Sequence, residues 1–312
     1  MTEASRILVT GAGGGVGGVG RTAVEVLRGR GIPVRAMVHR DDERADALRA
    51  LGADVVVADL TRPTDVAAAL DGCRRMLFCM SVSPEYLEAA AIVATVAQAL
   101  GELDVLVNLS QMTVSQMTAV SAGESRQQRL HWLAEQLLDS SGLPVVHLRP
   151  TIFQENPLFL QLVARPVAEL SLLPLPFRDG RTSPVAAADV AHTAAAVLED
   201  PAAHVGSVLE LTGPRVEDMD GVADEYSRAL GRAVHYVDVP PDEWADGTLA
   251  ESGLPPHTQA HLRTLAALHR QHRFDRMTDT VESITGRRPR TIEQFVAEHR
   301  ARFTMPAGVI VT

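Results

Sequence analysis

The chain has 312 residues, 46% hydrophobic and 4% aromatic, with a formal net charge of −10 at pH 7. That is ample apolar mass for a core built mainly of Ala, Val and Leu. The charge has the wrong sign for non-specific nucleic-acid binding or for a basic membrane-surface face. All 29 basic residues are Arg, which excludes a P-loop lysine, a Schiff-base lysine and any Tyr-Lys catalytic pair.

No run of about 18 apolar residues occurs, and no basic-then-apolar leader opens the chain. Cys73 and Cys79 form neither a disulfide framework nor a metal-ligand spacing. A cytoplasmic protein is expected, monomeric or homodimeric, with no membrane or nucleic-acid partner.

The first element is an apolar strand, Ile7 to Val9, running into a loop that is almost all glycine. A helical pattern follows (Val19, Ala23, Val24, Val26, Leu27), then Gly31, then a second strand, Val34 to Val38, ending in His39 and Arg40. Strand, glycine turn, helix and strand in this order form a dinucleotide-binding unit. Glycines let the backbone approach a pyrophosphate, and the free N–H groups at the helix start face its charge. Gly11, Gly14 and Gly17 make one GxxGxxG; Gly14, Gly17 and Gly20 make another. The strand end favours the earlier frame and the helix pattern the later one, which predicts a turn three residues longer than usual. Gly11, Gly13, Gly14, Gly15, Val16 and Gly17 are the candidate phosphate-binding residues. At the end of the second strand an acidic residue would suit NAD, and an arginine the 2′-phosphate of NADP. Arg40 stands there, followed by Asp41 and Asp42, so NADP(H) is favoured over NAD(H).

Further on, a helix over 43–51 leads to a third strand (Val55 to Val57) ending in Asp59 and Leu60. A helix over 64–70 leads to a fourth strand, 76–80, followed by Ser81 and Val82. A long helix over 84–100 precedes a fifth strand, Val105 to Leu109, ending in Ser110 and Gln111. Residues 112–124 read as a loop, 125–140 as a helix, and Val145 to Leu148 as a sixth strand. Continuous apolar strands alternating with helices predict an α/β doubly wound parallel sheet, with ligands outside the carboxyl ends of the strands. That rule selects Gly11 to Gly17, His39, Arg40, Asp59, Leu60, Met80, Ser81, Val82, Ser110, Gln111 and Phe153.

The remainder is broken by prolines. It predicts helices over 185–198, 218–230, 259–269 and 292–302, with strands over 208–211 and 234–239. A dinucleotide-binding domain over 1–153, to which 185–212 contributes, and a small, mostly helical C-terminal cap within 154–312 are expected. The cap would enclose a small-molecule substrate against Phe153, Leu158, Phe159, Trp244 and Asn156, with Tyr86 also in the cleft. His257 and His261 stand four residues apart, and His269 and His272 three apart. No third ligand accompanies either pair, so no metal is expected.

VTGAGGGVGGVGR resembles an expanded TGATGxxGR loop of NmrA-like proteins, atypical short-chain dehydrogenase/reductase relatives. VHR at 38–40, VVVADL at 55–60, HLRPTIFQEN at 147–156, the LTGP block at 211–240 and TGRRPRTIEQFVAEHR at 285–300 resemble further segments of that family. The resemblance implies a Rossmann domain, NADP(H) and a small C-terminal domain forming a substrate cleft. Some members are reductases and others redox-sensing regulators, so either an NAD(P)H-dependent oxidoreductase or a regulator with a protein partner is implied. Aligned on Glu135, the family's YxxxK pattern puts Gln127 at the tyrosine position and His131 at the lysine position. Ser110 keeps the serine-like place. Ser110, Gln111 and His131 are therefore the candidate catalytic residues. Ser110 and His131 are also candidates for holding the nicotinamide end, and Gln111, Phe153 and Asn156 for the substrate. His131, as an imidazole, is expected to titrate near neutral pH and could donate a proton.

Overall fold

The computed structural model describes residues 6–14 and 18–304. In chain order the elements are β1 (Arg6–Val9), α1 (Val19–Gly29), β2 (Val34–Val38), α2 (Glu43–Ala50), β3 (Asp54–Val57), α3 (Pro63–Leu70), β4 (Cys73–Phe78), α4 (Tyr86–Leu100), β5 (Val105–Leu109), α5 (Arg126–Ser140) and β6 (Val145–Pro150). Then come α6 (Gln161–Leu170), β7 (Leu172–Leu175), α7 (Ala187–Glu199), β8 (Val208–Leu211), α8 (Met219–Leu230), β9 (His235–Asp238), α9 (Pro241–Trp244), α10 (Pro256–Arg270), α11 (Thr280–Thr285) and α12 (Ile292–Glu298).

Seven parallel strands form one sheet in the order β3-β2-β1-β4-β5-β6-β8. The chain winds outward from β1 in one direction and from β4 in the other, so the strand order reverses between these two. A crevice opens at such a point. Side chains alternate across the sheet. Ile7 and Val9 join the core under α1 and α7, while Leu8 joins the core under α3, α4 and α5. Burial on both faces is why the central strands β1, β4, β5 and β6 are mainly apolar, whereas the edge strand β3 is partly exposed. In α1, Val19, Ala23, Val24 and Leu27 are buried, each Val or Leu contributing about 1.5–3 kcal/mol. Helix α5 is started by Ser125, whose hydroxyl accepts the Gln128 N–H while the Gln128 side chain accepts the Ser125 N–H.

A third core lies beyond the sheet's carboxyl edge. It is built from α6, α8, α9, α10 and α12 around a two-stranded parallel sheet of β7 and β9. Helix α6 and strand β7 were not expected from sequence. Pro166 lies inside α6 and Pro174 inside β7; β7 has only one partner strand, so the missing N–H costs little. Helix α11 was also not expected. Residues Met112–Gln116, expected as loop, form a 3-10 turn. Helix α10 begins at Pro256 rather than 259, and α12 ends at Glu298 before a further 3-10 turn, Arg300–Phe303. Strand β4 stops at Phe78 rather than 80, which frees Cys79 and Met80 for the crevice.

Candidate active site

The glycine loop joins β1 to α1 at the switch point. Gly11 has φ +63°, and a Cβ there would lie 2.6 Å from the Cys79 carbonyl oxygen. Gly20, in the first turn of α1, has the opposite problem: its Cβ would lie 2.7 Å from the Gly11 carbonyl oxygen and 2.8 Å from that of Thr10. Gly11 therefore makes the tight turn and Gly20 allows close packing of helix on strand. These roles fall nine residues apart, three more than in a GxxGxxG frame, so both frames seen in the sequence contribute one end. Gly14 and Gly18 are open, with nothing within 4 Å of a Cβ. Gly18 caps α1 in the left-handed conformation and was missed in the sequence. The candidates Gly15, Val16 and Gly17 lie outside the described residues.

On the β2 and β3 side of this loop is a cavity of about 750 Å3 lined by Gly13, Gly14, His39, Arg40, Asp59 and Leu60, among others. Arg40 is exposed at its rim. The neighbouring charges are already engaged: Asp41 pairs with Arg49 at 2.7 Å, and Asp42 caps α2 while Arg44 grips its carboxylate. That grip holds the Asp42 carboxyl below its ordinary range. Asp59 is likewise lowered, chiefly by accepting the Thr61 N–H at 2.8 Å and the Thr61 hydroxyl at 2.7 Å.

The second cavity, about 380 Å3, lies beyond β4 and shares Gly11, Cys79, Met80 and Ser81 with the first. Val82, Ser110, Gln111, His131, Phe153 and Asn156 line it. Three of its side chains carry buried polar atoms with no partner: Ser110 Oγ, Gln111 Nε2 and His131 Nδ1. A hydroxyl can donate or accept, but the other two are fixed by their neighbours. Thr113 accepts the Gln128 amide at 2.9 Å and gives its own hydroxyl to Gln111 Oε1 at 3.3 Å, so the free end of Gln111 is its NH2. His131 Nε2 lies 3.1 Å from Gln127 Nε2, its own neighbour one helical turn earlier. Burial pushes His131 down to about 3, so the ring is neutral near pH 7. The expected titration near neutrality does not hold, and the ring offers a neutral N–H rather than an imidazolium. Asn156 Oδ1 is committed to the Leu158 N–H at 3.0 Å.

Much of the remaining wall is apolar, and the cap supplies Leu254, Leu262, Leu265 and Phe274, with His261 between. Sequence reasoning missed this set because α10 and the turn after it are far away in the chain. Leu158, Phe159 and Trp244, expected in the lining, are instead buried in the cap's own core. Tyr86 is also not in the cleft. Its ring packs 4.0 Å from His131 and its hydroxyl lies 3.2 Å from Asn108 Oδ1 and 3.1 Å from the Leu109 carbonyl. Phe274 is fixed by stacking on His269 at 4.1 Å, and flanking arginines tie its segment to the 3-10 turn, Arg273 to Gln116 and Arg276 to Ser115. His261 and His269 are held by hydrogen bonds within the protein. His261 Nδ1 lies 2.8 Å from Ser125 Oγ, and His269 bonds the Leu265 carbonyl and Thr182. No cluster able to hold a metal occurs among the described residues, and none of their helices is long and apolar enough to cross a membrane.

The residues fit a dinucleotide. The open backbone at Gly14 and Gly18 and the start of α1 suit a pyrophosphate; Arg40 suits a phosphate on the adenosine ribose; the unpaired polar atoms suit the far end. Residues 14–201 match the family model described as NAD(P)H-binding. The chain is similar to an NAD(P)H azoreductase from Xenophilus azovorans, 29% identical over 293 residues, covering 93% of this chain and 97% of that one. The fold is similar to that of an NADPH-dependent quinone oxidoreductase from Escherichia coli solved with NADPH (TM-score 0.81, 23% identity, 94% and 99% of the two chains). It also resembles NmrA, a negative transcriptional regulator, solved with NADP (TM-score 0.77, 19% identity, 95% of each chain). With the match extending over more than half its length, the chain belongs to the NAD(P)H-binding family.

Proposed function

We propose that the protein is an NADPH-dependent reductase of small, apolar, conjugated acceptors, carbonyl- or quinone-like, working without a Tyr-Lys pair. The observation that carries this reading is the meeting of three unpartnered polar groups, on Ser110, Gln111 and His131, in a largely apolar cavity that adjoins the glycine loop. When bound, the nicotinamide supplies a hydride. An acceptor taking up two electrons gains negative charge on its oxygen, and preset donors stabilise such charge most where water is excluded. Ser110, Gln111 and neutral His131 hold that atom, or the carboxamide beside it, by hydrogen bonds. The final proton comes from water, since His131 carries no spare one near pH 7. The apolar side chains of α10 and Phe274 select a flat, poorly solvated substrate and orient it. An azo compound fits the same description, in line with the activity named for the Xenophilus relative.

Preference for NADPH follows from Arg40. Its acidic neighbours Asp41 and Asp42 are paired with Arg49 and Arg44, which weakens their claim on the ribose hydroxyls at that corner. The test is a fluorescence titration with NADPH and NADH, followed by NADPH oxidation across quinones, enones, aldehydes and azo dyes. Tight NADPH-selective binding with turnover is expected. Absence of binding to either cofactor overturns the reading. Binding without turnover, with unequal affinities for NADP+ and NADPH, would favour a redox-sensing regulator instead.

A further inference from the structure

We propose that Gln127 is a positioning residue that sets the tautomer of His131, and that the cap takes part in this through His257. The inference rests on the reductase reading for its consequence, though not for its geometry.

The amide of Gln127 has two ends, and the structure decides which is which. The backbone N–H of Ser83 lies 3.3 Å from Gln127 Oε1. A backbone N–H can only donate, so the atom facing it is the carbonyl oxygen. His257, on α10 of the cap, places its Nε2 2.8 Å from the same oxygen and donates to it. The other end of the amide is then NH2, and it faces His131 Nε2 at 3.1 Å. Two N–H groups cannot face each other, so His131 Nε2 accepts. A neutral imidazole carries one proton, which must therefore sit on Nδ1, the ring atom without a partner in the protein.

The consequence is chemical. With Gln127 in place, His131 presents a donor; with the opposite tautomer it would present a bare lone pair and repel a developing oxyanion. Gln127 and His131 are one helical turn apart on α5, so the pair is held by the helix itself. His257 belongs to a different part of the fold. Its N–H is the second donor to an oxygen that Ser83 also holds, so the cap reinforces the orientation of the amide.

The experiment uses the full-length protein, 15N-labelled in its histidines. Long-range 15N–1H correlation spectra assign the His131 tautomer with and without NADPH, and NADPH affinity and quinone reduction are measured on the same samples. Three variants are compared. Gln127→Glu keeps the shape but replaces the donating end with an acceptor. Gln127→Leu removes both ends. His257→Ala leaves Ser83 as the sole donor to the oxygen. We expect His131 to be Nδ1-protonated in the native chain, Nε2-protonated in Gln127→Glu, and a mixture in Gln127→Leu and His257→Ala. With Gln127→Glu, kcat should fall by roughly 10²-fold, the usual loss for one oxyanion donor, while NADPH affinity changes by less than about twofold.

Native His131 protonated on Nε2 overturns the proposal. So does a Gln127→Glu variant whose tautomer reverses while its kcat is unchanged. If the native chain binds NADPH but reduces no acceptor, the reductase reading fails by itself, and the tautomer spectra still decide the role of Gln127. If Gln127→Glu does not fold, His257→Ala gives the same decision from outside α5.

Discussion

Gly20 sits so close beneath the turn after β1 that a Cβ on it would lie 2.7 Å from the carbonyl oxygen of Gly11. This contact sets how closely α1 can pack on the sheet and hence where the N–H groups at its start are held. Gly20→Ala should push the helix away, lower stability by about 1–3 kcal/mol, and weaken NADPH binding at least tenfold. Gly14→Ala has the space but the wrong φ, +73°; about 1–2 kcal/mol of backbone strain is expected there. Urea unfolding with a parallel NADPH titration checks both. A Gly20→Ala protein that binds NADPH as the native chain does would show that the close approach has no bearing on the site.

Arg40 is exposed at the rim of the outer cavity. Arg40→Ala should weaken NADPH by about 1.5–3 kcal/mol, roughly 10- to 150-fold, and leave NADH nearly unchanged. Isothermal titration with the two cofactors gives the ratio directly. If the ratio does not move, the 2′-phosphate is held by another residue.

Ser110 tests the relation between stability and function. Its hydroxyl is buried without a partner, a condition that costs about 1–3 kcal/mol. Ser110→Ala should therefore melt at the same temperature as the native chain or slightly higher, while its kcat falls at least tenfold. Calorimetry beside steady-state kinetics separates this from ordinary damage, in which both would fall together.

The substrate wall should show itself in KM. Phe274→Ala opens the cavity and removes the ring stacked on His269, so KM for an apolar quinone should rise roughly tenfold. NADPH affinity should stay as it is, because the ring lines only the inner cavity. A change in cofactor affinity alone would place this ring elsewhere in the function.

Acid should unfold the protein earlier than its charge suggests. His131, His261 and His269 are buried, and burial pushes them down to about 3, 4 and 3 from 6.5. The unfolded chain binds their protons first, so their contribution to stability is complete above pH 6.5 and is lost as pH falls through and below it. Glu155 works in the other direction. Burial raises it to about 7, so its contribution is present below pH 4.5 and is lost as pH rises towards 7. The three imidazoles outweigh the one carboxyl, so stability should fall as pH drops from about 6 to 4.5, by on the order of 1 kcal/mol or more per pH unit. Urea midpoints across this range measure the slope, and a flat profile would mean that these rings are hydrated.

The sheet could be read from the sequence because it is local. Most strands of the Rossmann half carry a short apolar stretch, as a parallel sheet covered on both faces demands. Ser110, Gln111, Arg40 and Asp59 could be picked out as candidates for the same reason: strand ends at a switch point face the crevice whatever their neighbours are. The length of the glycine turn was visible too, as two overlapping frames. The tertiary structure had to decide that Gly11 and Gly20 take the outer roles, since only the packed distance between them shows which side chains are forbidden. It also decided the cavity wall. Trp244 and Phe159 are apolar like Leu262 and Phe274, and hydrophobicity alone cannot say which of them faces a ligand and which the core. Likewise the sequence gives Gln127 and His131 a helical turn of separation. The proton's place on the ring depends on Ser83 and His257, brought there from the loop after β4 and from α10, and such hydrogen-bond direction exists only once the chain has folded.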